Sequence, residues 1–313
     1  MSPLSETRMA YGDALAELGA INPNVVVLDA DLYNSTRTVV FRDKFPDRFF
    51  DMGISEADMA STAAGLAAGG MIPFINSFAI FATSICFLPI RTQACYPCLP
   101  VKIAGSSSGL TQGPDGASHQ SLEDIGLMRM LPNMVVISPA DANETRQAVF
   151  AAAEYPGPVY LRLGRYPVPE LFGPDYKFEI GKAATLRAGS DVTLFGTGHM
   201  TSKAVAAAAI LAEAGIQARV INVSTIKPLD EETVLRAARE TRLLVSIEEH
   251  NIIGGLGGAI AECVSGYAGM PALLRLGVRD VFGESATGEE LLVLHRLTGP
   301  QIAEDVQKAL KKT

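Results

Sequence analysis

Cysteine and histidine are scarce in this chain: its 313 residues include four of each. Cys95 and Cys98 alone fall at metal-pair spacing, in Cys95-Tyr96-Pro97-Cys98, while Cys86, Cys263 and the histidines are scattered. A structural zinc site needs a second pair of ligands, so reduced thiols are the expectation and no metal site is assigned. Basic charge is also in deficit, with 26 Lys and Arg against 34 Asp and Glu and a net charge of -8. That balance argues against nucleic acid or an anionic membrane as the main partner, since either favours a basic face. No run of about 18 apolar residues offers a membrane span. The opening Met1-Ser2-Pro3-Leu4-Ser5-Glu6 lacks the basic and apolar regions of a signal peptide, which makes a cytoplasmic location the default. What remains, 48% hydrophobic and 19% charged residues, suits a well-packed globular protein with little disorder.

A length of 313 residues predicts two domains. Short aliphatic runs alternate with Ala-rich stretches, the pattern of a parallel α/β architecture. Strands are expected at Val25 to Leu28, Ile72 to Ile75, Val101 to Ala104, Met134 to Ile137 and Val159 to Leu163. Helices are expected at Arg8 to Leu18, Glu56 to Ala68, Phe78 to Ala94, Ser121 to Leu131 and Asp141 to Glu154. Beyond Leu163 the chain is broken repeatedly by Gly164, Pro167, Pro169, Gly173 and Pro174, as in a linker. A second alternation follows, with strands near Val192 to Phe195, Ala218 to Val223, Leu243 to Ile247 and Leu273 to Leu276. Its helices are expected from Thr201 to Ala214, Asp230 to Arg239, Gly257 to Tyr267 and Glu289 to Leu294. The expected division is therefore residues 1–172, a linker at 173–187 and a second α/β domain at 188–313. Each domain is a mostly parallel sheet flanked by helices.

Open α/β sheets bind ligands beyond the carboxyl ends of their strands. Four loops there carry polar residues: Asp29 to Ser35, Ser55-Glu56, Gly105 to His119, and Leu163-Gly164-Arg165. Singly, each has an ordinary explanation. Asp and Ser after a strand make turns, Ser55 with Asp58 makes a capping box, and Gly109 to Gly116 makes a flexible loop.

Together, and in this order, they resemble the pyrimidine-binding and C-terminal domains of transketolase, a thiamin diphosphate enzyme. The resemblance runs from Thr7-Arg8-Met9-Ala10 through Ser138 to Thr145 and on to Ile253-Gly254-Gly255-Leu256-Gly257-Gly258, with Asp115-Gly-x-x-His119-Gln120 its most specific element. It implies that Glu56 meets a ring nitrogen of the cofactor's aminopyrimidine and triggers deprotonation at the thiazolium. Phe78 and Phe81, three apart at a helix start, would line the pyrimidine pocket, with Asp31 also near the cofactor. His119 would exchange protons with substrate hydroxyls, a task suited to an imidazole near neutral pH. Asp115 would bind a substrate hydroxyl. Arg8, Ser35 and Arg165 would clamp the substrate phosphate, and the same clamp accepts a sulfonate.

The sequence also departs from the family. Ser84 stands where a third pocket aromatic is expected, and Gly105-Ser106-Ser107-Ser108-Gly109 lacks a histidine that ordinary transketolases carry. No Gly-Asp-Gly segment with a downstream Asn supplies ligands for Mg²⁺. The resemblance therefore implies a split enzyme, in which an N-terminal subunit holds the diphosphate and Mg²⁺ and two copies of each chain form a heterotetramer acting on sugar phosphates. Other readings are the beta subunit of a 2-oxo acid dehydrogenase component, the C-terminal half of a deoxyxylulose phosphate synthase, and a non-catalytic scaffold.

Overall fold

The computed structural model describes residues 4–312. Its larger sheet has seven strands in the order Thr225–Lys227, Val135–Ile137, Val159–Arg162, Lys102–Ser106, Ile72–Phe78, Val25–Asp29 and Phe49–Asp51. All run parallel except Thr225–Lys227. Strands such as Val25–Asp29 are buried at every residue, because helices cover both faces. That double burial explains why their sequences are apolar throughout rather than alternating.

The smaller sheet has five strands, in the order Ala272–Val278, Leu243–Asn251, Val192–Gly196, Ala218–Asn222 and Ala184–Arg187, the last antiparallel. Two α/β layers with a mostly parallel sheet in each are thus present, as expected. The short antiparallel strand Ala184–Arg187 occupies the end of the expected linker.

Thr225–Lys227 lies in sequence within the second alternation yet pairs with Val135–Ile137 of the first sheet. Ser138 N donates to Ser224 O at 2.7 Å, and Lys227 Nζ donates to Arg129 O at 3.0 Å and to Leu131 O. The domains are stitched together by backbone.

The helix Glu56–Ala68 begins and ends where expected. The expected helix Phe78 to Ala94 does not exist as one element. Phe78 is the last residue of a strand, helix follows at Ala79–Ser84 and Phe87–Pro89, and Ile90–Cys95 is wound as a π-helix. Pro89 has no N–H to donate, and Thr83, Ser84 and Thr92 spend their hydroxyls on carbonyls one turn back. Elements that were not expected or ran longer than expected include the strand Phe49–Asp51, the strand Leu243–Asn251, which continues through Glu248 and Glu249, and the helix Gly299–Leu310 with Pro near its start. Among the described residues no helix is long and apolar enough to cross a membrane.

Candidate active site

The carboxyl ends of four neighbouring strands, Val25–Asp29, Phe49–Asp51, Ile72–Phe78 and Lys102–Ser106, open toward the same end of the larger sheet. The loops leaving them converge there. Glu56 starts its helix and is 6% exposed. Ser77 Oγ donates to its Oε1 at a long 3.4 Å, and the Cys86 thiol donates to its backbone carbonyl at 3.1 Å. Burial pushes the Cys86 thiol up to about 12, with the Glu56 charge adding to it. The capping box expected from Ser55 and Asp58 is not formed, since the Ser55 side chain makes no cap hydrogen bond.

Phe78 and Phe81 stack with ring centroids 6.2 Å apart and planes 24° from parallel. Their shared face arises from a strand end meeting a helix start, not from helical spacing. The His119 ring stands edge-on to both, 6.1 Å from Phe78 and 5.4 Å from Phe81. Its Nδ1 lies 2.9 Å from Ser118 Oγ. Each aromatic contact of this kind contributes about 0.5 to 1.5 kcal/mol beyond burial. Ser84 is exposed and bonds back to Ile80 O at 2.5 Å, so no side chain closes the pocket from that position.

A second group gathers around two arginines. Arg8 Nε pairs with Glu6 at 2.6 Å and its Nη1 donates to the carbonyl of Ser35 at 3.0 Å. It is the Ser35 carbonyl, not the hydroxyl, that meets Arg8. The backbone N–H of Arg8 donates to Gly164 O at 3.2 Å, which seats it beside Arg165. Arg165 Nη1 reaches Asp115 Oδ2 at 3.3 Å and Gln112 Oε1 at 3.4 Å, while Gln112 Nε2 donates to Asp115 at 2.6 Å. A guanidinium has five donors, so both arginines retain free N–H groups for an oxyanion. Asp31 is exposed at φ 58°, in the same turn as Ser35.

The domain models for this constellation decide the family. The transketolase pyrimidine binding domain matches residues 5–169, and the transketolase C-terminal domain matches residues 181–302. The chain belongs to the transketolase family. A protein of Methanocaldococcus jannaschii described as a transketolase C-terminal section is 44% identical over 307 residues, 97% of this chain and 96% of that protein. The 6-deoxy-6-sulfo-D-fructose transketolase subunit SqwH of Clostridium sp. is 42% identical over 94% of this chain and 91% of its own length. Among solved structures, a split gene transketolase described as an inactive beta4 tetramer superposes with a TM-score of 0.91 at 50% identity, covering 98% of both chains.

The burial and partners of several polar residues of this transketolase domain pair escaped sequence reasoning. Asp29 accepts from Leu32 N at 2.6 Å, Thr36 Oγ1 at 2.7 Å and Thr38 Oγ1 at 2.8 Å, and so shapes the turn that carries Asp31 and Ser35. Arg162 is buried against Asp124 at 2.7 Å and donates to Glu249 O at 2.9 Å across the domain boundary. Glu248, Glu249 and His250 continue a buried strand. Three ionisable residues in succession behind the apolar Leu243 to Ile247 were the signal for them.

Proposed function

We propose that this chain is the C-terminal subunit of a two-chain transketolase. It transfers a two-carbon ketol unit from a ketose phosphate to an aldose when a separate N-terminal subunit supplies the diphosphate and Mg²⁺ site. The observation that carries this reading is Glu56: a carboxyl group 6% exposed whose one side-chain contact among the described residues is a long one from Ser77, the residue before Phe78 of the stacked phenyl pair. Buried acceptors of that strength are normally saturated. A flat heteroaromatic ring with a protonated nitrogen satisfies both halves, so the site fits the aminopyrimidine of thiamin diphosphate.

When bound, that cofactor supplies an acidic thiazolium carbon able to attack carbonyls. Glu56 would accept the hydrogen bond of the protonated ring nitrogen from a buried position, where such a proton is held most effectively. Phe78 and Phe81 would line the pyrimidine, and Asp31, on the turn after Asp29, would lie near the cofactor. His119 moves protons to and from sugar hydroxyls, and Asp115 accepts from one. Arg8 and Arg165, with the Ser35 turn, hold the terminal anion through their free donors. Those donors fit phosphate or sulfonate alike, in keeping with the sulfofructose named for the Clostridium relative. Two relatives that this chain matches nearly end to end are described as a section or a subunit of transketolase, which supports a partner chain; the α2β2 assembly is part of the proposal.

Glu56→Gln tests the reading. In the complex reconstituted with the N-terminal subunit, turnover is expected to fall by about 10²- to 10⁴-fold, the usual worth of a positioned acid or base. The circular dichroism and melting temperature of the chain should stay unchanged. Near-normal turnover would remove Glu56 from its role.

A further inference from the structure

The loop that carries Asp115 and His119 is held from outside its own domain. Glu249, on the second-domain strand Leu243–Asn251, accepts the backbone N–H of Thr111 with Oε1. Its Oε2 faces His199 Nδ1 at 3.2 Å. Burial pushes the Glu249 carboxyl upward, but His199, Arg162 and the Thr111 N–H more than offset it and keep the group ionised below its ordinary range. At 4% exposure this is a buried anion spent on one loop amide and one histidine.

Gly109 sits at φ 79°, and a Cβ there would stand 2.5 Å from the Glu249 carboxyl carbon. The loop therefore needs glycine at that point both for its backbone and for the approach of the carboxylate. Gln120 closes the other end, donating to Gly113 O at 3.0 Å within the loop and to Glu284 O at 2.9 Å in the second domain. Between those ends the loop is stiff. Gln112 N bonds to Gly109 O, Gly116 N to Gly113 O, and both His119 N and Gln120 N to Gly116 O, at 3.0 to 3.3 Å. A shift at Thr111 is thus carried along hydrogen-bonded turns to Asp115 and His119.

We propose that Glu249 is a positioning residue for the sugar-binding loop, so that the second domain sets where Asp115 and His119 meet the substrate. The proposal rests on the transketolase reading of that loop. Glu249 acts through the Thr111 amide. Hydrogen bonds to ionised groups are the strong ones, and small misplacements of positioning groups are costly in rate.

The test has two arms, one of which needs neither partner nor substrate. In the chain alone, Glu249→Ala should raise deuterium exchange of the 109–120 amides about tenfold or more, the scale of losing one hydrogen bond to a charged group. Glu249→Gln, whose carbonyl still accepts from Thr111 but without the charge, should fall between wild type and Glu249→Ala. Glu249→Asp, one methylene shorter so that its carboxylate draws back from the Thr111 amide, should reproduce the Ala pattern and serves if Glu249→Ala does not fold. In the reconstituted enzyme, Glu249→Ala should raise KM for the ketose about tenfold while leaving the apparent affinity for thiamin diphosphate unchanged. Unaltered exchange across 109–120 in the folded variants, or a lower melting temperature with unchanged KM, overturns the proposal. Loss of ketol transfer by the wild-type mixture counts instead against the transketolase reading, and the exchange arm still decides this one.

Discussion

Asp29 and Asp31 lie two residues apart at the end of one strand, yet their environments are opposite. Asp29 is fully buried and receives three hydrogen bonds, whereas Asp31 is exposed at φ 58°. The sequence marks both as turn formers. It does not say which is buried, because the strand is covered on both faces and lacks the alternation that would orient its end. Burial pushes the Asp29 carboxyl from 3.8 to about 6, against the lowering effect of its hydrogen bonds. A raised folded-state value means that the group's contribution is fully present below 3.8 and is lost as the pH rises through about 6. Asp29→Asn should therefore flatten the pH dependence of urea stability between pH 4 and pH 7, a difference of about 3 kcal/mol at most. Identical pH profiles for the two proteins would show that the carboxyl titrates normally.

At the scale of elements, the helix Glu56–Ala68 was legible from its Ala-rich run and acidic first turn. The strand Val159–Arg162 was legible as apolar sequence, but its terminal Arg162 gave no hint of burial. Its partner Asp124 is distant in sequence and arrives on a different helix. The same strand sends Tyr160 to Asp124 at 2.6 Å, so one carboxylate serves two side chains. Burial raises the Asp124 carboxyl, and Arg162 more than offsets it to hold the group below its ordinary value. Arg162→Met strands that anion in the interior and should cost about 3 to 5 kcal/mol in urea unfolding at pH 7. The double variant Asp124→Asn, Arg162→Met should lose less than the single one, since the uncompensated charge is gone. A single variant as stable as wild type would mean that the pair has no structural role. The broken helix after Phe78 was less legible, because its apolar residues satisfy helical periodicity while Pro89 and the π-helix interrupt it locally.

At the scale of the molecule, both α/β units are visible in the sequence as two alternating series. Their union is not. The strand Thr225–Lys227 completes the first sheet from the second series, Glu249 and Glu284 reach across the boundary to the 109–120 loop, and Arg162 reaches the Glu249 carbonyl. Periodicity within a segment carries no information about which sheet edge it will join. Two apolar side chains close in sequence to site residues are exposed: Ile54, two residues before Glu56, by 85%, and Ile85, next to Cys86, by about half. Isolated exposed side chains are common, and these two are apolar groups that a second chain would cover in the proposed assembly. Ketol transfer by the purified chain, alone and mixed with its N-terminal subunit in the presence of thiamin diphosphate and Mg²⁺, tests that account most directly. Activity is predicted in the mixture only. Robust transfer by the chain alone would contradict it.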